Sequence, residues 1–131
     1  MNKKDDIIVV EGNQTLTGKV KVSGAKNSAL KLIAASILAQ GKCVIQNVPD
    51  ISDIDIMCKV LESLGASIKR SGHKLDIDTK NINSVEASYD LVSQMRASIA
   101  VLGPLVARFG EAKVAMPGEW LVRNEISHSL K

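Results

Sequence analysis

Apolar and polar residues alternate in short blocks along the chain, and the period of each block predicts a strand or a helix. Residues 7–10 form a short apolar run, and residues 16–22 alternate apolar and polar positions as a half-exposed strand does. Gly12 and Gly18 mark turns beside these segments. The N-terminal part of the chain therefore predicts two strands.

Two amphipathic helices follow. The first is predicted over residues 27–40 with Gly41 as its stop, and residues 42–47 then predict a strand. Ser52 followed by Asp55 has the spacing of a capping box, which predicts the start of a second helix that ends at Gly65. The apolar positions that define the two helical faces are Leu30, Ile33, Ala34, Ile37 and Leu38, then Ile54, Met57, Cys58, Leu61 and Leu64.

The rest of the pattern predicts a hairpin, one more helix and one more strand. Residues 66–70 and 74–78 are short strand patterns joined by a turn at residues 71–73. After a polar connector at residues 79–87, a third helix is predicted from near Asp90 to Phe109, interrupted at Gly103-Pro104. Residues 111–116 then predict a strand.

The order from residue 19 to residue 78 is thus β-α-β-α-β-β, and an α-β pair follows that would begin a second unit. Alternating strands and helices are typical of the α/β class. No sequence repeat relates the two parts, so a second unit is predicted from the order of elements alone.

Composition narrows the class of protein. The chain has 131 residues and a formal charge of +3, with 17 basic and 14 acidic side chains. The basic residues are scattered and aromatic residues for base stacking are few, which argues against a nucleic-acid partner. No apolar run has the length of a membrane span or a signal peptide, so we expect a soluble cytoplasmic protein. Cys43 and Cys58 lack the spacing of a metal site and are expected to be buried free thiols.

The candidate chemistry begins with Ser23-Gly24-Ala25-Lys26-Asn27, where a strand is predicted to become a helix. The first turn of a helix disfavours a bare cation, and a bound phosphate or carboxylate would reverse that preference by using the N–H groups and the ammonium together. The alternative is an ordinary turn in which Lys26 extends into water and Asn27 is the N-cap.

Three other candidates have plain structural alternatives. His73 is interpreted as a solvated turn residue. Asp50, Asp53 and Asp55 surround a predicted helix start, where acidic residues are favoured, so helix capping is preferred over a carboxylate site. Arg96, taken alone, would be a surface arginine. No P-loop, dinucleotide-binding fingerprint or Ser/His/Asp arrangement occurs.

Ordered motifs change these interpretations. They are VSGAKNSAL at residues 22–30, IQNVP at 45–49, YDLV at 89–92 with MRAS at 95–98, and LGPLVARFG at 102–110. Together they resemble the UDP-N-acetylglucosamine enolpyruvyl transferases, also called 1-carboxyvinyltransferases, from about residue 7 to residue 118. Enolpyruvylshikimate-phosphate synthase shares the fold, but its Lys-Ser motif differs from Ala25-Lys26-Asn27-Ser28, so the cell-wall enzyme is favoured.

The resemblance implies a fold and a reaction. The fold is a partial inside-out α/β barrel, with one β-α-β-α-β-β unit and the start of a second. Residues 1–22 would be strands of the second domain of that fold, residues 23–118 a partial catalytic domain, and residues 119–131 a divergent tail whose order or disorder the sequence leaves open. The reaction moves enolpyruvate from phosphoenolpyruvate to the 3-hydroxyl of UDP-N-acetylglucosamine, the first committed step of peptidoglycan synthesis, without a metal or organic cofactor.

The resemblance also assigns residues. Lys26 and Asn27 would bind phosphoenolpyruvate, and Arg96 would contact UDP-N-acetylglucosamine. After Gly118 the family continues with Gly-Cys, and that cysteine is the catalytic acid. Here Trp120 stands at the cysteine position, and an indole N–H is too weak an acid to replace a thiol. Glu119, one position earlier, is not expected to substitute for it.

Two functions of different classes remain open. The chain is either a transferase piece that is inactive alone, or a non-catalytic anion-binding or interaction module that kept part of the fold. Uncovered sheet edges and helix faces predict self-association. No membrane partner is expected.

Overall fold

The computed structural model describes residues 7–114, with the backbone alone at residues 96–98. Each predicted helix and strand between residues 26 and 78 is present, with shifted ends. The elements are α1 (Lys26–Ala35), a 3-10 turn (Ser36–Ala39), β1 (Lys42–Ile45), α2 (Ser52–Ser63), β2 (Ser67–Ser71), β3 (Lys74–Asp78), β4 (Glu86–Ala87), α3 (Tyr89–Val92), a 3-10 segment (Arg96–Val101), α4 (Leu102–Phe109) and β5 (Lys113–Val114).

The main sheet has three strands in the order β1-β3-β2. Both β1 and β2 are antiparallel to β3, with Ile45 and Arg70 on either side of Leu75. The two outer strands are therefore parallel to each other, and α2 connects them as the crossover of a split β-α-β unit. The hairpin turn is Gly72-His73, where Gly72 has φ 58° as the predicted tight turn requires.

The core lies between one face of this sheet and the helices. Side chains from α1, α2 and β3 that are fully buried form its centre: Ile33, Ile54, Met57, Val60, Leu61, Leu75 and Ile77. Because strand residues alternate between faces, Lys42, Lys69 and Asp76 point away from the helices into solvent. The sheet is thus the outer layer and the helices the inner one, as an inside-out α/β unit requires.

The two N-terminal strands predicted from the sequence are not formed. Residues 7–25 contain no strand, and Ile8 and Leu16 expose 89% and 92% of their surface. The prediction was wrong because a strand needs a partner for its backbone N–H and C=O groups, and no described segment pairs with this one.

The end of the first helix also differs from the prediction. The helix tightens into the 3-10 turn after Ala35, and the left-handed residue that stops it is Gln40, with φ 52°, rather than Gly41. Leu38, which was assigned to the buried face, is 49% exposed. The tighter turn accounts for this, because three residues per turn rotate Leu38 away from the face defined by Leu30 and Ile33.

The third predicted helix is broken earlier than expected. α3 ends at Val92, and the extended Met95, with φ −150°, separates it from the 3-10 segment. Gly103 and Pro104 lie in the first turn of α4, where proline is tolerated because its missing N–H has no intrahelical partner. Part of the predicted strand at residues 111–116 is confirmed as β5, whereas residues 111 and 112 are not in a strand and residues 115 and 116 lie outside the described residues. β5 pairs in parallel with β4, in the segment interpreted as a connector.

Two polar side chains, those of Thr79 and Arg108, join the end of β3, the 3-10 turn and α4 by hydrogen bonds. The hydroxyl of Thr79, which is fully buried, accepts from the Gly41 N–H at 3.3 Å and has its single O–H between the Ser36 and Gly41 carbonyls, at 3.1 Å and 3.2 Å. The Arg108 guanidinium donates to the carbonyls of Ile37 at 2.9 Å and Thr79 at 2.8 Å. α4 is therefore tied to the 3-10 turn after α1 and to the residue that follows β3.

Candidate functional site

Lys26 and Asn27 form the start of α1. The helix begins at Lys26, its N-cap is the extended Ala25, and no side chain caps it. Asn27 is exposed and already helical, so its interpretation as the N-cap was wrong. The backbone N–H groups of this first turn have no helical acceptor and are left facing outward, beside a lysine. This end of α1 favours an anion.

The start of α2, like that of α1, has no side-chain cap. Its N-cap is Ile51, Ser52 is the first helical residue, and no side chain caps the helix. The predicted capping box at Ser52 and Asp55 is therefore wrong, because a capping box needs the serine outside the helix. Asp53 and Asp55 lie in the first turn, where the helix dipole stabilises carboxylates.

An ion pair connects the two helix starts. The Lys26 ammonium lies 2.9 Å from a carboxylate oxygen of Asp53, and the two side chains are 53% and 32% exposed. The other two acidic residues of this region, Asp50 and Asp55, instead pair with Arg70 on β2. The contact between Lys26 and Asp53 was missed from the sequence, because the three aspartates were treated together as capping residues.

Two of the motifs that were separate in the sequence meet here. A β-carbon on Gly24 would overlap the carbonyl oxygen of Asn47, so only glycine allows the segment before α1 to pass so close to the loop after β1. Asn47 itself is left-handed, with φ 57°. This contact fixes where the chain enters α1 and therefore where Lys26 stands.

The loop after β1 is also hydrogen-bonded to the β2–β3 hairpin. The N–H of Val48 donates to the His73 carbonyl at 2.8 Å, and Nδ1 of His73 donates back to the Val48 carbonyl at 2.9 Å. Arg70 donates to the carbonyl of Pro49 at 3.2 Å. His73 is thus the exposed turn residue that was expected, with an added role in fixing this loop to the hairpin.

Arg96 begins the 3-10 segment Arg96–Val101, which contacts α1. The segment is anchored by Met95 and Val101, whose side chains are buried. The segment that begins at Arg96 therefore packs against the helix that begins with Lys26 and Asn27. Glu119, Trp120 and the predicted tail at 119–131 lie outside the described residues.

A concavity of about 420 Å³ lies elsewhere, on the outer face of the sheet, lined by residues including Lys42, Val44, Lys69 and Asp76. None of the candidate site residues lines it. Within the described part of the chain, its lysines lie on an open sheet face with no free helix N–H groups beside them, whereas the Lys26 ammonium, although paired with Asp53, stands at the uncapped start of α1.

The described residues contain neither a disulfide nor a cluster of metal-binding side chains. Cys43 and Cys58 are free and half-buried. Burial, followed by the charge of Glu62, raises the pKa of the Cys58 thiol from 9.0 to about 11, so this thiol is a poor nucleophile near neutral pH. Within residues 7–114, no three His, Cys, Asp or Glu side chains are grouped as a metal site would need. No helix of this range is long and apolar enough to cross a membrane.

The fold of the chain agrees with what its sequence is related to. Residues 10–124 match the family described as EPSP synthase (3-phosphoshikimate 1-carboxyvinyltransferase), and the chain belongs to this family. Within it, the chain is similar to UDP-N-acetylglucosamine 1-carboxyvinyltransferase of Geobacter metallireducens, with 52% identity over 113 residues, covering 86% of this chain and 27% of the relative. The enzyme of that name from Campylobacter fetus is 51% identical over the same shares of both chains.

Comparison with a solved structure points to the same family. The fold resembles the crystal structure of the enolpyruvyl transferase NikO from Streptomyces tendae, with a TM-score of 0.70 and 30% identity, over 82% of this chain and 25% of that chain. The predicted family and the inside-out α/β fold are therefore confirmed. The chain spans about a quarter of the length of the proteins it matches.

Proposed function

We propose that this chain forms the phosphoenolpyruvate-binding wall of a UDP-N-acetylglucosamine 1-carboxyvinyltransferase. The observation that carries the proposal is the start of α1, where Lys26 and Asn27 stand in an uncapped first turn. Phosphoenolpyruvate brings a phosphate and a carboxylate, and both are suited to free N–H groups next to an ammonium. Arg96, on the segment that contacts α1, would bind the nucleotide sugar.

The reaction of such a transferase explains why fixed cations are useful. The sugar 3-hydroxyl gives up its proton as its oxygen bonds to the enol carbon of phosphoenolpyruvate, and the methylene carbon gains a proton to become a methyl group. The tetrahedral intermediate then loses phosphate together with one proton of that methyl group, which restores the double bond. Negative charge gathers on the departing phosphate. A lysine held in place before the reaction stabilises that charge without reorganisation during it. The reaction would supply peptidoglycan precursors in the cytoplasm, and hence serve cell shape and division.

The domain assignment is part of the same proposal. Residues 1–22 would belong to the second domain of the complete fold, and residues 23–118 to the catalytic domain. The exposure of the apolar residues in 7–22 supports this, since such a segment stabilises a fold only when another part of the protein covers it. The acid that protonates the methylene carbon is missing at Trp120, so we expect no turnover by this chain alone.

A chimera tests the proposal. Residues 7–114 replace the matching segment of the Geobacter metallireducens relative, and phosphate release is measured with both substrates. We expect the chimera to be active, and Lys26→Ala or Asn27→Ala to lower kcat/KM by about 100-fold. Lys31→Ala is the matched control, because Lys31 is an exposed lysine on the same helix and should leave the rate unchanged.

Arg96→Ala in the same chimera should raise the KM for UDP-N-acetylglucosamine more than the KM for phosphoenolpyruvate. Equal rates for the Lys26→Ala and Lys31→Ala chimeras would contradict the assignment of Lys26. Measurable phosphate release by the unmodified chain would contradict the expectation that it is inactive alone.

The alternative function is a non-catalytic anion-binding module. The same uncapped start of α1 supports it, because binding an anion there requires no second substrate and no reaction. Calorimetry of the chain with phosphoenolpyruvate and with UDP-N-acetylglucosamine separates the two. Binding by the chain combined with an inactive chimera would favour the module. An active chimera would favour the transferase.

A further inference from the structure

Asp53 differs from the other two aspartates at the start of α2 because it pairs with Lys26. Asp50 and Asp55 both contact Arg70, which fastens β2 to this end of the helix. Asp53 instead holds the Lys26 ammonium at 2.9 Å across the gap between the two helix starts. Its contact is thus with a candidate binding residue and not with the scaffold.

Lys26 needs such an anchor. It is the first helical residue of α1, where the helix dipole repels a cation, and its side chain has four rotatable bonds. The carboxylate of Asp53 has the reverse preference, because it lies in the first turn of α2. The α2 dipole therefore stabilises the Asp53 carboxylate, and this carboxylate in turn holds the Lys26 ammonium at the start of α1, where the α1 dipole alone would repel it.

The pair leaves room for a ligand. An ammonium has three N–H donors and the contact with Asp53 uses one of them. The Lys26 side chain is 53% exposed, so its remaining donors can reach a phosphate oxygen while the ion pair is kept.

We propose that Asp53 is a positioning residue, which holds the Lys26 ammonium at the start of α1 for the phosphate of phosphoenolpyruvate. This rests on the proposed function of Lys26. A half-exposed ion pair of this kind adds little to folding stability, so we expect the loss of Asp53 to affect ligand binding more than folding.

Whether Asp53→Asn weakens or tightens phosphoenolpyruvate binding distinguishes a residue that positions Lys26 from one that acts only through its negative charge. A carboxylate near an incoming anion weakens binding by repulsion, so removing its charge should tighten binding if Asp53 acts only as a charge. If Asp53 holds Lys26 in place, Asp53→Asn should weaken binding. Asp53→Glu keeps the carboxylate and, in a half-exposed pair, should restore most of the affinity.

The experiment titrates the full chain with phosphoenolpyruvate by calorimetry and follows the ε-carbon relaxation of Lys26 by NMR. We expect Asp53→Asn to weaken binding by about 3- to 10-fold and to increase the mobility of the Lys26 side chain. In a Lys26→Met background the same substitution should have no weakening effect. Asp76→Asn is the matched control, since Asp76 pairs with Lys74 at 2.9 Å with similar exposure.

Tighter or unchanged binding in Asp53→Asn would overturn the positioning role, as would equal weakening with and without Lys26. Unchanged mobility of Lys26 would also overturn it. Failure of the unsubstituted chain to bind phosphoenolpyruvate would overturn the proposed binding site itself, and the role of Asp53 with it. The two failures are therefore distinguishable.

Discussion

Gly24 passes so close to the carbonyl oxygen of Asn47 that any larger residue would overlap it. The contact joins the segment before α1 to the loop after β1, which is itself fixed to the hairpin turn through Val48 and His73. The position of Lys26 is therefore set by a backbone contact two residues earlier in the chain.

Gly24→Ala should destabilise the fold, because its β-carbon would push the loop at Asn47 away. Overpacking of this kind costs about 1–3 kcal/mol, which urea unfolding followed by circular dichroism would measure. Gly12→Ala is the control, since a β-carbon there meets nothing within 4 Å. Equal stability of the two variants would contradict the close contact.

Thr79→Val should destabilise the chain with little change in shape. The substitution removes the hydroxyl that serves Ser36 and Gly41 and leaves the Gly41 N–H without this partner. The expected loss in the free energy of unfolding is about 1–3 kcal/mol. Thr17→Val, at an exposed position in the N-terminal segment, should change it by less than about 0.5 kcal/mol.

Arg70→Lys should weaken the attachment of β2 to the start of α2. The guanidinium contacts Asp50, Asp55 and the Pro49 carbonyl at once, and a lysine cannot reproduce this planar arrangement. We expect a loss of about 1 kcal/mol in thermal or urea unfolding. Lys74→Ala, which breaks the exposed pair with Asp76 on the same hairpin, should cost less, and a larger cost there would contradict the ranking.

The stability of the chain should fall at high pH through Cys58. Its thiol has a folded pKa of about 11 against 9.0 when unfolded, so above pH 9 the folded state binds more protons than the unfolded state. The free energy of unfolding therefore decreases as the pH rises from about 9 to about 11. Cys58→Ala should remove this part of the decrease, and identical pH profiles for both chains would contradict it.

Self-association should depend on the apolar N-terminal segment. Leu16 and Val20 expose 92% and 90% of their surface, which favours contacts between chains. Leu16→Asp with Val20→Asp should lower the average mass in sedimentation equilibrium. Thr15→Asp with Thr17→Asp adds the same charge without removing apolar surface, and an equal decrease there would assign the effect to charge.

The helices and strands between residues 26 and 78 were predictable because each has its own period and its own stop. Periodicity placed Ile33, Met57 and Leu75 in the core. It failed at residues 7–22, where strand formation depends on a partner that local sequence does not supply. It also failed at β4, whose two residues are too few to show any period.

The candidate site was predictable only in part. Lys26 stood out because a lysine at a helix start is unusual, but only the family resemblance assigned Lys26 and Asn27 to phosphoenolpyruvate. The link to Asp53 was not, because an aspartate in a first turn has a sufficient local explanation and its partner lies on another helix. The contact between Gly24 and Asn47 likewise depends on how two loops pass each other.

The strand order β1-β3-β2 has a consequence for the order of folding. The hairpin of β2 and β3 closes across two residues, so its loop-closure entropy is small and it should form within microseconds. β1 is distant in sequence and must add to the exposed edge of β3 afterwards, which is slower. The loop at Asn47 and the helix start at Lys26 then become ordered on a hairpin that already exists. A substitution that slows the Gly72-His73 turn would therefore delay the ordering of the candidate site at Lys26, although neither turn residue belongs to that site.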